Sequence, residues 1–123
     1  MECDTGHDLP ADILFERSGP HKQIFFEPRK TRAAIVTCGG LCPGLNNVIR
    51  SAYLELQESY GVMEVWNIRY SYAGLNAEIG EPPIRLTPSL VDEIHEVGGI
   101  MLGMSRGPQP IEAMVNFLVD HEI

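Results

Sequence analysis

Basic residues are scarce. The 123-residue chain carries 9 lysines and arginines against 17 aspartates and glutamates, a formal net charge of −8. Nucleic-acid binding needs a basic patch, and the only local cluster, Arg29, Lys30 and Arg32, is too small to hold a duplex. With so acidic a balance, a site for an anionic ligand must be made positive locally, by a few groups. Cysteine is scarce too. Cys3, Cys38 and Cys42 are an odd set, which excludes a fully paired disulfide framework. No second Cys/His pair follows Cys38 and Cys42 at zinc-ligand spacing, which speaks against a structural zinc. Long apolar runs are missing, and none approaches the roughly 18 residues of a membrane span. The start lacks the basic-then-apolar pattern of a secretory signal. These absences point to a cytoplasmic protein with neither nucleic acid nor membrane as partner.

What is present is an alternating pattern. Residues 1–31 read as an N-terminal arm, mixing charges with Pro10, Pro20 and Pro28; its short apolar run, Ile24 to Phe26, is expected as a strand or as a segment pinned onto the body. From Arg32 the pattern sharpens. Residues 33–38 form a continuous apolar run with β-branched residues at its centre, which suits a strand buried on both faces, as in a parallel sheet. Pro43 sits where a helix can begin without losing a hydrogen bond, and Leu45, Val48, Ile49, Ala52, Tyr53 and Leu56 recur as one apolar stripe up to a stop at Gly61. Val62, Met63, Val65, Trp66 and Ile68 predict a second strand, and residues 69–76 a loop. A helix is expected over 88–97, with Leu90, Val91, Ile94 and Val97 on one face. Residues 100–102 suggest a short strand, and a last helix is expected over 109–121, marked by Ile111, Met114, Val115, Leu118 and Val119. Strand and helix in alternation predict an α/β fold, a mainly parallel sheet with helices on both faces. The alternation calls for a further strand after Ile123, so residues 32–123 are expected to be the first part of such a domain, incomplete by itself.

The first strand-to-helix turn carries the chemistry: Thr37, Cys38, Gly39, Gly40, Leu41, Cys42, Pro43, Gly44, Leu45, Asn46. Glycines admit backbone conformations closed to other residues and let a bulky anion approach closely. The helix that follows offers unpaired N–H groups and the positive end of its dipole. An anion at such a turn is held by geometry as much as by formal charge. The turn is neither of two familiar fingerprints. It lacks the Gly-Lys-Ser/Thr ending of the Walker A loop, and its glycine spacing differs from that of the dinucleotide turn. From the residues alone, the reading is an anion at a βα turn, of unspecified kind, or a tight turn with no ligand.

The stretch AAIVTCGGLCPGLNNVIRSA resembles the first βα unit of the phosphofructokinase family, in particular the branch found in plants, trypanosomatids and some bacteria. The resemblance runs from about Arg17 to the end of the chain. The better-known bacterial branch has Asp-Ala where Leu41-Cys42 stand. Tyr70 to Leu75 resemble the family's Tyr-x-Gly loop, and Gly98 to Gly107 its Gly-Gly-x-x-Leu-Gly-x-Ser-Arg-Gly segment.

The resemblance implies a Rossmann-like, nucleotide-binding domain. Gly39, Gly40, Gly44, Tyr72, Arg106 and Gly107 are then the donor-binding residues: glycines at the phosphates, Tyr72 near the nucleotide, and Arg106 forked across phosphate oxygens as guanidinium chemistry favours. Asn46 would help to fix the turn. Arg50 matches the first arginine of the bacterial effector site, but Leu54 falls where the second would be, so Arg50 is expected to be an exposed helix residue.

The implied activity is 6-phosphofructokinase, transferring a phosphoryl group from ATP to fructose 6-phosphate in glycolysis, with Mg²⁺ and a homo-oligomeric whole protein. Pyrophosphate as donor and an inactive binding module are the alternatives. The family's metal carboxylate lies in a Gly-Gly-Asp-Gly-Thr segment and its base in a Thr-x-Asp segment, and neither occurs in these residues. No catalytic or metal-ligating residue is therefore assigned here, and the isolated chain is expected to be inactive and marginally stable. Asp92, Glu93, Glu96, Glu112 and Asp120, with His95 and His121, are expected to be solvated side chains on helix surfaces.

Overall fold

The computed structural model describes residues 23–40 and 42–123. Residues 1–22 of the expected arm, with Cys3 and Arg17, lie outside the described residues, as does Leu41 in the turn. β1 (Arg32–Val36) and β2 (Glu64–Ile68) pair in parallel, with Arg32 opposite Glu64 and Val36 opposite Ile68. They are connected through α1 (Leu45–Leu54), which widens into a π-type turn over Glu55–Ser59 and stops at Gly61, where φ is +74°. β3 (Ile84–Arg85) joins the other edge of β2, so that the sheet order is β1-β2-β3. Two helices follow, α2 (Pro88–Asp92) and α3 (Ile111–Asp120).

The pleat of β2 divides the core. Val65 points to one face, where Ile49 and Tyr53 of α1 pack with Val62, Leu86, Val91, Ile94 and Leu102. Ile68 points to the other, against Phe117 of α3 and Leu75. Helices thus cover both faces of a small α/β sheet. At its lower edge Arg32 reaches Glu64 at 2.9 Å and Glu122 at 2.7 Å, tying β1, β2 and the end of α3 together. Among the described residues no helix is long and apolar enough to cross a membrane.

Several expectations need correction. The sheet is mixed: the long β1–β2 pairing is parallel, but two-residue β3 runs antiparallel to β2, with Trp66 opposite Arg85. A parallel return needs a crossover, usually a helix. Between Ile68 and Ile84 the chain makes only a 3₁₀ turn, Ser71–Leu75, before Pro82-Pro83 straighten it. β1 is half-buried rather than buried on both faces, because it is an edge strand with a ladder partner on one side only among the described residues. Residues 100–102 form a turn, not a strand. Gly103 N donates back to Ile100 O at 3.2 Å, although Leu102 is fully buried and its carbonyl accepts from Tyr70 N at 2.9 Å.

Ile24 to Phe26 form no strand. Phe25 is 95% exposed, while Ile24 and Phe26 border an apolar groove with Leu56, Tyr60, Val62 and Ile123. The buried stripe of α1 includes Asn46, and Val48 faces solvent. The inner face of α3 is Met114, Phe117 and Leu118, leaving Ile111, Val115 and Val119 exposed.

Candidate anion-binding site

At the upper end of the sheet three loops meet: the glycine turn after β1, the 3₁₀ turn after β2 and the segment that leads into α3. Cys38, Gly39, Ser71, Tyr72, Ser105, Arg106, Gly107 and Pro108 line a cleft of about 420 Å³ between them. Gly40 belongs to the same corner. A methyl group added to it would stand 3.3 Å from Nη2 of Arg106, so the guanidinium lies across this residue's open face. Gly39 has φ +115°, a backbone conformation that favours glycine. Gly39, Gly40, Tyr72, Arg106 and Gly107, named from sequence, therefore converge.

Gly44 does not line this cleft. It is the N-cap of α1, at φ +85° with no side chain capping the helix, and borders a second hollow of about 490 Å³ with Cys42, Pro43, Asn46, His95, Gly98 and Gly99. Cys38 and Cys42 are exposed free thiols, one in each hollow.

Hydrogen bonds that sequence reasoning missed hold the loops in register. The Ser71 hydroxyl donates to Thr37 O at 2.7 Å and accepts from Ser105 N at 3.2 Å, and the Ser105 hydroxyl donates to Tyr70 O at 2.6 Å. On the far side of α1, buried Asn46 donates through Nδ2 to the carbonyls of Ile94 (2.9 Å), Val97 and Gly99 (both 3.1 Å), and accepts from Met101 N at 3.3 Å. Asn46 thus fixes the 94–101 loop as well as lying beside the turn. α2 ends at Asp92, five residues earlier than its periodicity suggests, and carbonyls of the loop beyond it are bound by Asn46 instead of lying on a helix.

The cleft's charge comes from Arg106. The ion pairs among the described residues all lie elsewhere, so none of the described carboxylates neutralises it there. Asp92, Glu93, Glu96, Glu112 and Asp120 are exposed and none lines the cleft. Among the described residues no three His, Cys, Asp or Glu side chains converge as a metal site. The chemistry on offer is binding: backbone, hydroxyls and one guanidinium facing an anion, with no histidine or carboxylate among the described lining residues to move a proton.

His95 is exposed beside the second hollow. His121, expected at the surface, is half-buried: its ring stacks on Phe117 at 4.0 Å and its Nδ1 lies 2.8 Å from Phe117 O. Arg50 is also half-buried, with its Nε enclosed and without a hydrogen-bond partner among the described residues.

A family profile described as Phosphofructokinase matches residues 32–123. Among curated proteins the chain is 51% identical over 106 residues to an ATP-dependent 6-phosphofructokinase of Entamoeba histolytica, covering 86% of this chain and 24% of that protein. It is 48% identical to one of Borreliella burgdorferi, with 85% and 24% covered, and 43% identical to one of Trypanosoma cruzi, with 90% and 24% covered. The chain thus spans about a quarter of the length of these relatives.

Proposed function

Because the chain belongs to the phosphofructokinase family, we propose that it forms the donor side of an ATP-dependent 6-phosphofructokinase, which transfers the terminal phosphoryl group of ATP to the 1-hydroxyl of fructose 6-phosphate. On this reading residues 32–123 are the first part of a Rossmann-like nucleotide-binding domain in a cytoplasmic glycolytic enzyme. The observation that carries it is the corner where the Arg106 guanidinium lies over Gly40, in a cleft shared with Gly39 and Tyr72 and lined by no carboxylate among the described residues. A guanidinium stays charged and forks across phosphate oxygens. Glycines beneath it allow the phosphates to approach the backbone. The exposed ring of Tyr72 offers a face for the nucleoside. Gly44, at the mouth of α1, contributes the positive end of the helix rather than a wall of the cleft.

ATP is the donor favoured by the names of the relatives; nothing observed favours pyrophosphate. Phosphoryl transfer of this class uses Mg²⁺ to neutralise charge developing on the donor. The described residues offer no ligand set that fits the ion. Their part is to bind and orient.

A chimera tests the reading. Residues 32–123 replace the matching region of the Entamoeba relative, and ATP- and fructose 6-phosphate-dependent turnover is measured. Activity within about tenfold of that enzyme, cut at least 10²-fold by Arg106→Ala, is the expected outcome. A folded chimera whose turnover is indifferent to Arg106→Ala contradicts the assignment.

A further inference from the structure

Three chain segments must agree for the cleft to exist, and the hydrogen bonds that join them meet at one side chain. Ser71 is 3% exposed, unusually buried for a serine between two tyrosines on a loop. Its hydroxyl uses both capacities: it donates to Thr37 O and accepts from Ser105 N. Thr37 stands two residues before Gly39, Ser71 one before Tyr72, and Ser105 one before Arg106. Each segment is therefore gripped within one or two residues of the group it brings to the cleft. The return bond from the Ser105 hydroxyl to Tyr70 O closes the ring.

The backbone is bent to reach this arrangement. Tyr70 and Ser71 have φ of +56° and +59°, two successive non-glycine residues in the left-handed region. Such a conformation strains any residue that carries a Cβ and persists where surrounding contacts over-determine it.

We infer that Ser71 is a positioning residue for the donor cleft, its hydroxyl fixing Arg106 and Tyr72 relative to the glycine turn. The inference rests on the proposed donor site and assigns part of its affinity to a residue that need not touch the ligand. Glycine at position 71 relieves the backbone but removes the hydroxyl, whereas alanine removes the hydroxyl and keeps the strain. A purely structural role leaves the ATP affinity of folded Ser71→Gly at the parent value, whatever its stability. A positioning role makes both variants weak binders whatever their stability.

The test measures ATP affinity of the 123-residue chain by calorimetric titration, alongside thermal unfolding and hydrogen exchange at the Ser105 amide. Expected are roughly tenfold weaker binding for Ser71→Gly and Ser71→Ala alike, loss of protection at Ser105 in both, and a higher melting temperature for glycine than for alanine. Parent-like affinity in Ser71→Gly overturns the inference. So does unchanged protection of the Ser105 amide, which is read without ligand. Absence of ATP binding by the parent chain instead removes the donor-site reading itself, whatever the exchange data show.

Discussion

Gly40 is the residue at which the proposed chemistry and the local geometry are most tightly joined. A methyl group there approaches Arg106 Nη2 to 3.3 Å, and the flexible guanidinium can yield. Gly40→Ala is therefore expected to leave the melting temperature nearly unchanged while weakening ATP binding about three- to tenfold, by displacing Arg106 and covering the backbone; titration calorimetry checks it.

Tyr53 makes a separate prediction. It is fully buried and its hydroxyl has no partner among the described residues. Burial pushes the phenol above its ordinary value of 10.0, with Arg85 lowering it and Asp92 raising it. The folded state thus holds the proton more tightly than the unfolded state. Its contribution is complete below pH 10 and is lost as pH rises from there through the folded value. Tyr53→Phe should leave stability at neutral pH within about 1 kcal/mol of the parent or raise it, and should flatten the alkaline decline. Denaturant unfolding at neutral pH and above pH 10 measures both.

At this scale the gathering of Gly39, Gly40, Gly107 and Arg106 at one corner was legible, because these residue types suit an anion. Ser71 and Asn46 were not, since nothing in a lone polar side chain reveals which distant carbonyls it will meet.

Between elements, local signals succeeded where a pattern was long and failed where a tertiary contact intervened. The β1–α1–β2 unit follows from a β-branched run and a 3.6-residue stripe, although Pro43, expected just inside α1, lies outside it, before the N-cap Gly44. Thr87 caps α2 through Leu90 N at 3.3 Å, with Pro88 in the first turn, so the start of that helix was legible too. Its end was not: the apolar spacing runs on through Ile94 and Val97, but the helix stops at Asp92 and the loop beyond it is held by Asn46, a distant contact that no local pattern shows. Two-residue β3, between Pro82-Pro83 and the Thr87 cap, is too short for any period to show. Asn46→Ala strands those carbonyls and is expected to cost about 2 kcal/mol or more. Hydrogen exchange should show the 94–101 loop opening while α1 stays protected; uniform destabilisation without selective opening speaks against a local hub.

Over the whole molecule, apolar surface remains uncovered. Ile111, Val115 and Val119 repeat every four residues along the outer side of α3 and are 75%, 49% and 67% exposed. An apolar stripe of this kind favours association. The 123-residue chain should sediment with concentration-dependent mass, and Val115→Glu with Val119→Glu should lower that dependence; a monomer at all concentrations is the contrary result. The alternation of strand and helix made the α/β class legible, whereas the mixed sheet was hidden because strand direction depends on how the chain returns, not on which residues it contains.

The central claim is that phosphates of ATP sit between the glycine turn and Arg106. Amide NMR of the ¹⁵N-labelled chain during ATP titration tests it most directly. Saturable shifts at Gly39, Gly40 and Gly107, abolished by Arg106→Ala, are predicted. Silence at these amides, or shifts confined to the Gly98-Gly99 hollow and unaffected by Arg106→Ala, contradicts it.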